Sequence, residues 1–196
     1  MKFVLASNNK KKIEELRTIL SSLMPGCEVL SLYDIGFTGD IKENGKTFRK
    51  NSVIKASVPA KLGYIGVADD SGLCVDALDG APGVYSARYS GGGDQANIDK
   101  LLKELENVPD EKRTAKFVCV MSAVFPDGKV ITARGEAPGV ILRERRGEDG
   151  FGYDPVFYSK DLHKTFAEAS PDEKNEVSHR GRALAAFCKK LKGILC

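Results

Sequence analysis

Hydrophobic residues in this chain change their spacing several times, from short continuous or alternating runs to intervals of three and four residues. Only a fold that mixes strands with helices accommodates both periods. Phe3 to Ala6 is a brief apolar run ended by Ser7-Asn8-Asn9, as expected of a buried strand, and Ile13, Leu16, Ile19, Leu20 and Leu23 then recur at helical spacing. Glu28 to Leu32 alternates like a strand. Thr47 to Lys61 carries Phe48, Val53, Ile54, Ala56 and Ala60 in a helix-like pattern, and Tyr64 to Ala68 is the next strand. Ile98, Leu101, Leu102 and Leu105 predict a helix from Asp94 to Leu105, with Pro109 beyond it as a stop. Ala115 to Phe125 and Lys129 to Arg134 flank Pro126-Asp127-Gly128, a turn composition that predicts a hairpin. Leu184, Phe187, Cys188, Leu191 and Ile194 make a final amphipathic helix. No internal repeat, low-complexity tract or Pro/Ser linker interrupts the 196 residues. The expectation is one α/β domain over residues 1–196, built on a mixed sheet with room for a bend into two lobes.

Several function classes are disfavoured at once. The formal charge of +3 comes from 30 basic and 27 acidic residues spread along the chain, so no basic tail points to nucleic acid or to an anionic membrane. Five cysteines, an odd number with no Cys-x-x-Cys pair, argue against a disulfide framework or a zinc site and for a reducing cytoplasm. The first residues turn polar too soon for a signal sequence, and no later stretch approaches a membrane span. A small anionic ligand remains compatible with all of this.

Four segments carry chemistry. Ser7-Asn8-Asn9-Lys10-Lys11-Lys12 lies between the first strand and the first helix, where free N–H groups and the helix dipole favour phosphate. The same residues also read as an Asn cap followed by solvated lysines. Ala68-Asp69-Asp70-Ser71-Gly72 places two adjacent carboxylates after an apolar strand, where α/β sheets bind ligands. Asp69 and Asp70 there suit a magnesium ion or activation of a water, or else an ordinary turn. Gly150-Phe151-Gly152-Tyr153-Asp154-Pro155 combines two aromatics and a carboxylate between glycines, a composition for stacking a base and bonding its edge, or for a packed turn. Ser178-His179-Arg180-Gly181 opens the last helix with cationic side chains that suit an anion or a carbonyl oxygen.

Other fragments are weaker. Gly39 and Gly45-Lys46-Thr47 nearly spell a Walker A loop, but five residues separate the glycines and no apolar strand leads in, so the P-loop reading is rejected. Glu43 remains as an acid in a loop, followed by Asn51 and Lys55 on one helical face. Arg88, in the glycine-rich Gly80 to Gly91 segment, suits an anion or a structural role. Ser170-Pro171-Asp172-Glu173 reads as a capping box whose acids serve the helix, with Lys174 just beyond.

Taken in order, Ser7-Asn8-Asn9-Lys10, Asn51 to Ala56, Ala68 to Gly72, Gly80 to Gly91, Phe151 to Pro155 and Ser178 to Gly181 resemble the inosine triphosphate pyrophosphatase family, the XTP/dITP diphosphatases that act on non-standard purine nucleotides. The resemblance covers essentially the whole chain. It implies an elongated mixed sheet flanked by helices, two lobes with a central cleft, a cytoplasmic homodimer, and Mg2+-dependent hydrolysis of ITP, dITP or XTP to the monophosphate and pyrophosphate. By the same resemblance, Ser7, Asn8, Asn9, Lys10, Lys11, Lys12 and Lys55 hold phosphates, Asp70 is the metal-linked catalytic carboxylate, Asp69 supports it and Ser71 contacts substrate. Phe151, Gly152, Tyr153 and Asp154 shape the base pocket, and Lys174, His179 and Arg180 reach the base. Lys42 stands where many relatives carry the first of two acids, which leaves Glu43 as the nearby family-like metal ligand. The competing reading is a pyrophosphatase of related fold acting on pyrimidine or modified nucleotides.

Overall fold

Three parallel strands begin the sheet. In the computed structural model, which describes residues 2–7, 13–14, 16–17, 20–21 and 25–195, β1 (Lys2–Leu5) pairs in parallel with both β2 (Glu28–Ser31) and β3 (Ile65–Val75). Parallel neighbours require a crossover. Helical positions within 13–21 precede β2, with Leu16 and Leu20 buried, and α1 (Phe48–Ala60) precedes β3. β4 (Thr114–Val124) and β5 (Val130–Ile141) follow, then β6 (Phe157–Ser159), antiparallel to β5, and β7 (Lys164–Thr165), antiparallel to β6. The seven strands lie in the order β2-β1-β3-β4-β5-β6-β7, so the mixed α/β sheet expected from the alternating periods is present. The Pro126-Asp127-Gly128 turn closes through a Phe125 N–H bond to the Lys129 carbonyl at 2.9 Å. Gly128 there adopts φ 86°, a left-handed conformation that favours glycine.

Burial follows the pattern each strand needs. β5 alternates buried and exposed positions along its length, while β4 is buried on both faces from Phe117 to Val124. Two strands run further than their composition predicts. β3 continues through Asp69-Asp70-Ser71-Gly72 to the buried pair Leu73 and Val75, and β5 continues past Gly135 and Pro138 to Ile141. Gly139 makes room for its neighbours, since a Cβ there would strike the Phe157 ring and the Tyr158 carbonyl.

Two compact units divide the chain. The first comprises residues 1–70, 120–134 and 183–196, the second residues 71–119 and 135–182. Val4, Ala6, Leu32, Ala56, Ala60, Ala68 and Val124 form a core in the first. Here α1 is capped by Thr47, whose hydroxyl accepts the Lys50 N–H at 3.1 Å, and lies directly on β3. Gly66 permits that approach, because a Cβ would collide with the Ala56 carbonyl oxygen of the helix.

The second unit has an aromatic core, in which the Phe117 ring centroid lies 4.6 Å from that of Phe157 and 5.8 Å from that of Phe166. α2 (Asp94–Glu104) buries Ile98 and Leu101 against this cluster. α3 (Pro171–Val177) carries the full capping box read from the sequence, and α4 (His179–Leu195) begins immediately after Ser178. Ser178 accepts the Gly181 N–H at 3.1 Å. Among the described residues no helix is long and apolar enough to cross a membrane.

Candidate active site

The acid pair does not occupy a turn. Asp69 and Asp70 sit inside β3, where successive side chains face opposite sides, so the two carboxylates diverge. The reading of a strand ending at Ala68 is corrected accordingly: the apolar residues beyond the acids, Leu73 and Val75, hold the strand extended. Asp69 is buried, and Asp70 meets two side chains from the helix that precedes β3. Asn51 Nδ2 donates to its Oδ2 at 3.1 Å, and Lys55 Nζ lies 3.6 Å from its Oδ1. The same ammonium lies 2.8 Å from Glu43 Oε2. A helix with Asn51 and Lys55 one turn apart thus meets Asp70 with both side chains, as their shared face requires.

The electrostatics are unbalanced in favour of negative charge. Burial pushes the Asp70 carboxyl up to a pKa of about 6, while Lys55 and the Asn51 hydrogen bond pull it down and Glu43 and Asp69 add further upward pressure. For Lys55, burial disfavours the ammonium, but Asp70, Glu43 and Asp69 together outweigh it and hold the pKa above the ordinary lysine value. Among the described residues, one cation therefore serves several acids. No group of three or more His, Cys, Asp or Glu among the described residues forms a protein-only metal cage. The donor set instead suits a hard ion that takes one or two carboxylates and completes its shell with water and phosphate oxygens, as magnesium does.

Ser7 lies two residues beyond the end of β1, and Ser71 follows Asp70 within β3. Asn8, Asn9, Lys10, Lys11 and Lys12 lie outside the described residues. The rejected P-loop has a different use: Gly45 donates its N–H to Asn51 Oδ1 at 2.8 Å, and Thr47 caps α1.

In the second unit a loop presents one aromatic ring outward. Phe151 is 62% exposed, whereas Tyr153 is buried and donates its hydroxyl hydrogen to the Ser86 carbonyl at 2.9 Å, so only the first ring is available for stacking. Tyr153 is wall rather than contact. Asp154 is buried, accepts the Phe151 N–H at 2.8 Å and pairs with Lys174 Nζ at 2.5 Å. Burial raises its pKa, with Lys174 and the Phe151 bond opposing. The Lys174 ammonium also lies 4.8 Å from the Phe151 ring centroid and 5.4 Å from that of Phe166. Gly150 is required beside this carboxylate, since it has φ 84° and a Cβ would strike Asp154 Oδ2.

His179, the first residue of α4, is buried with its ring stacked on Phe117 at 4.8 Å and 14°. Arg180 follows it and is half-buried. Close contact between α3 and α4 depends on Gly181, whose Cβ would collide with the Asn175 carbonyl. Glu173 confirms the capping role of its segment: paired with Lys164 and bonded to Ser170, it has a pKa lowered to about 2. Arg88 stands over the Tyr85 ring at 5.2 Å on the surface.

Supporting residues appear that sequence reading passed over. Gly152 donates its N–H to Asp94 Oδ2 at 2.9 Å, across 58 positions of sequence. The buried Asn97 accepts from the Ser90 N–H and hydroxyl and donates to the Ser86 and Ala87 carbonyls, fixing the glycine-rich segment. Neither signals itself in sequence, because a polar residue on an amphipathic helix reads as solvated face.

A model of the Ham1 family matches residues 3–190. A protein of Clostridium perfringens called dITP/XTP pyrophosphatase is 49% identical, with 99% of this chain and 98% of that one covered. Its namesake in Leuconostoc mesenteroides is 50% identical, covering 97% and 96% respectively. The solved structure of the Staphylococcus aureus Ham1 protein superposes with a TM-score of 0.91 at 41% identity, over 98% of this chain and 99% of that one.

Proposed function

Because the chain belongs to the Ham1 family, we propose that it hydrolyses non-standard purine nucleoside triphosphates, ITP, dITP and XTP, to the monophosphate and pyrophosphate with Mg2+. The observation that carries this reading is the shared lysine: Asp70 and Glu43 both contact Lys55, yet the Asp70 carboxyl remains undercompensated with a pKa of about 6. Among the described residues Lys55 alone offsets these acids, an arrangement suited to an incoming cation with its phosphates. Asp70 and Glu43 would hold the ion, which when bound neutralises phosphate charge and polarises the leaving group.

The chain's own residues supply the rest. Ser7 and the Asn8 to Lys12 segment take phosphate oxygens, and Lys55 offsets charge on the transferring group. Asp70 directs a water at the α-phosphorus and accepts its proton as the new P–O bond forms. The bond to the bridging oxygen breaks, and pyrophosphate leaves. Phe151 offers a stacking face for the base, with Gly152, Tyr153, Asp154 and Lys174 keeping it in place, while His179 and Arg180 donate toward a 6-oxo group. Adenine presents an amino group at that position, leaving such donors unmatched. Asp69 supports the strand beside Asp70, and Ser71 contacts substrate. The working form is a cytoplasmic homodimer that engages neither nucleic acid nor membrane.

Release of pyrophosphate across a panel of nucleoside triphosphates, with and without Mg2+, tests the reading. Preference for ITP, dITP and XTP with IMP or its counterparts as first product is expected. A pyrimidine preference would replace the substrate class, and IDP as first product would replace the reaction.

A further inference from the structure

We infer that Asn51 is a positioning residue that locks the orientation of Asp70 to the loop carrying Glu43, an inference that rests on the hydrolytic reading above. Three observations converge on it. The side chain is 1% exposed, so its amide must find partners within the protein. Each end is spent on a different part of the site: Oδ1 accepts the Gly45 N–H at 2.8 Å, and Nδ2 donates to Asp70 Oδ2 at 3.1 Å. Gly45 is shaped for this contact, because a Cβ there would stand 2.5 Å from Asn51 Oδ1 and 2.9 Å from Lys50 Cβ.

The consequence is a fixed rotamer for the acid. Asp70 Oδ2 is held by a neutral donor, so Oδ1 is the oxygen turned to the Lys55 ammonium. Because Oδ1 of the same amide is anchored on the backbone two residues after Glu43, the loop and the carboxylate cannot drift independently. Asn51 acts on the reaction through Asp70 and touches neither water nor phosphate.

The two ends of the amide separate by substitution. Asn51→Asp keeps an acceptor for Gly45 but removes the donor to Asp70, and Asn51→Ala removes both. Gly45→Ala leaves Asn51 intact but pushes its side chain from place. Both Asn51 variants should lower kcat for ITP about a hundredfold with KM changed less than threefold, and Gly45→Ala should lower kcat about tenfold. The Gly45→Ala/Asn51→Ala double variant should be no slower than Asn51→Ala, since the two act through one contact. Independently of turnover, the Asn51 side-chain amide protons in metal-free protein should be protected from exchange, and Asp70→Ala should shift their NMR resonances. Near-wild-type kcat in Asn51→Asp, multiplicative losses in the double variant, or amide signals indifferent to Asp70→Ala would each overturn the inference. A failure of the hydrolytic reading looks different: the wild-type protein would itself release no pyrophosphate from ITP, while the amide signals would still respond to Asp70→Ala.

Discussion

Two carboxylates, the half-buried Asp70 and the buried Asp154, each stand beside a lysine, and their surroundings give them different characters. Asp154 has one lysine to itself at 2.5 Å, from α3, and a backbone N–H from its own loop as well. Asp70 shares its lysine with Glu43, at the longer distance of 3.6 Å, and takes its remaining bond from a neutral amide. The lesson is that an acid–lysine pair is not itself a functional signal. Burial raises the pKa of both acids, so what sets Asp70 apart is that its lysine is shared with a second acid.

The comparison breaks most visibly if activity does not follow it. Asp70→Asn should lower kcat for ITP at least about a hundredfold while the fold is retained, because shape is kept and charge is lost. Circular dichroism and steady-state kinetics check both halves, and near-normal turnover would refute the assignment. Asp154→Ala should act the other way, costing about 2 kcal/mol of unfolding free energy by stranding Lys174, which remains partly hydrated. Denaturant titration measures it. An undiminished midpoint together with abolished kcat would put Asp154 in the chemistry.

Arg180→Ala sharpens the contrast on the side assigned to the base. Loss of a charged donor should reduce the ratio of kcat/KM for ITP over ATP by roughly tenfold. An unchanged ratio, even with lower activity on both, would make Arg180 a phosphate ligand or a helix cap. His179→Ala is less clean, since it also removes the stack on Phe117.

The smallest effect is one of pH. Asp70 in the folded protein has a pKa of about 6, above the ordinary 3.8, so between those values the native state binds the proton more tightly than the unfolded chain. Stability of the metal-free protein therefore falls as pH rises through this window, and the penalty is fully developed above about 6. Asp70→Asn escapes it and should gain about 1 kcal/mol on the wild type between pH 4.5 and 7.5. Urea midpoints at both pH values decide, and a gap independent of pH would count against an undercompensated carboxylate.

Much of this contrast was legible from residue order. The strand at Phe3, the helix opening at Thr47, the Pro126 turn and the Ser170 capping box each announce themselves by local chemistry, and each forms as read. Extension of β3 through Asp69-Asp70-Ser71-Gly72 was hidden, because these residues have low strand propensity and are kept extended by the neighbouring strands and by the burial of Leu73 and Val75 beyond them. β5 hid its second half behind Gly135 and Pro138 in the same way. Within the site, residue types at motif positions were readable, but not their division of labour. Tyr153 and Phe151 look alike in sequence, yet one is core and the other surface. Asp94 had no local signal because its partner, Gly152, is distant in the chain.

The seat of α1 on β3 has a consequence for how this site tolerates change. The atom that a side chain at Gly66 would strike belongs to the Ala56 main chain. No second substitution trims a carbonyl oxygen, so damage from Gly66→Ala has no compensating partner at position 56. A suppressor screen seeded with that variant should return reversions to glycine, or changes that lift the whole helix and carry Asn51 and Lys55 away from Asp70 with it. Inheritance at this position is then all or nothing: the lineage keeps the glycine, or it gives up the alignment.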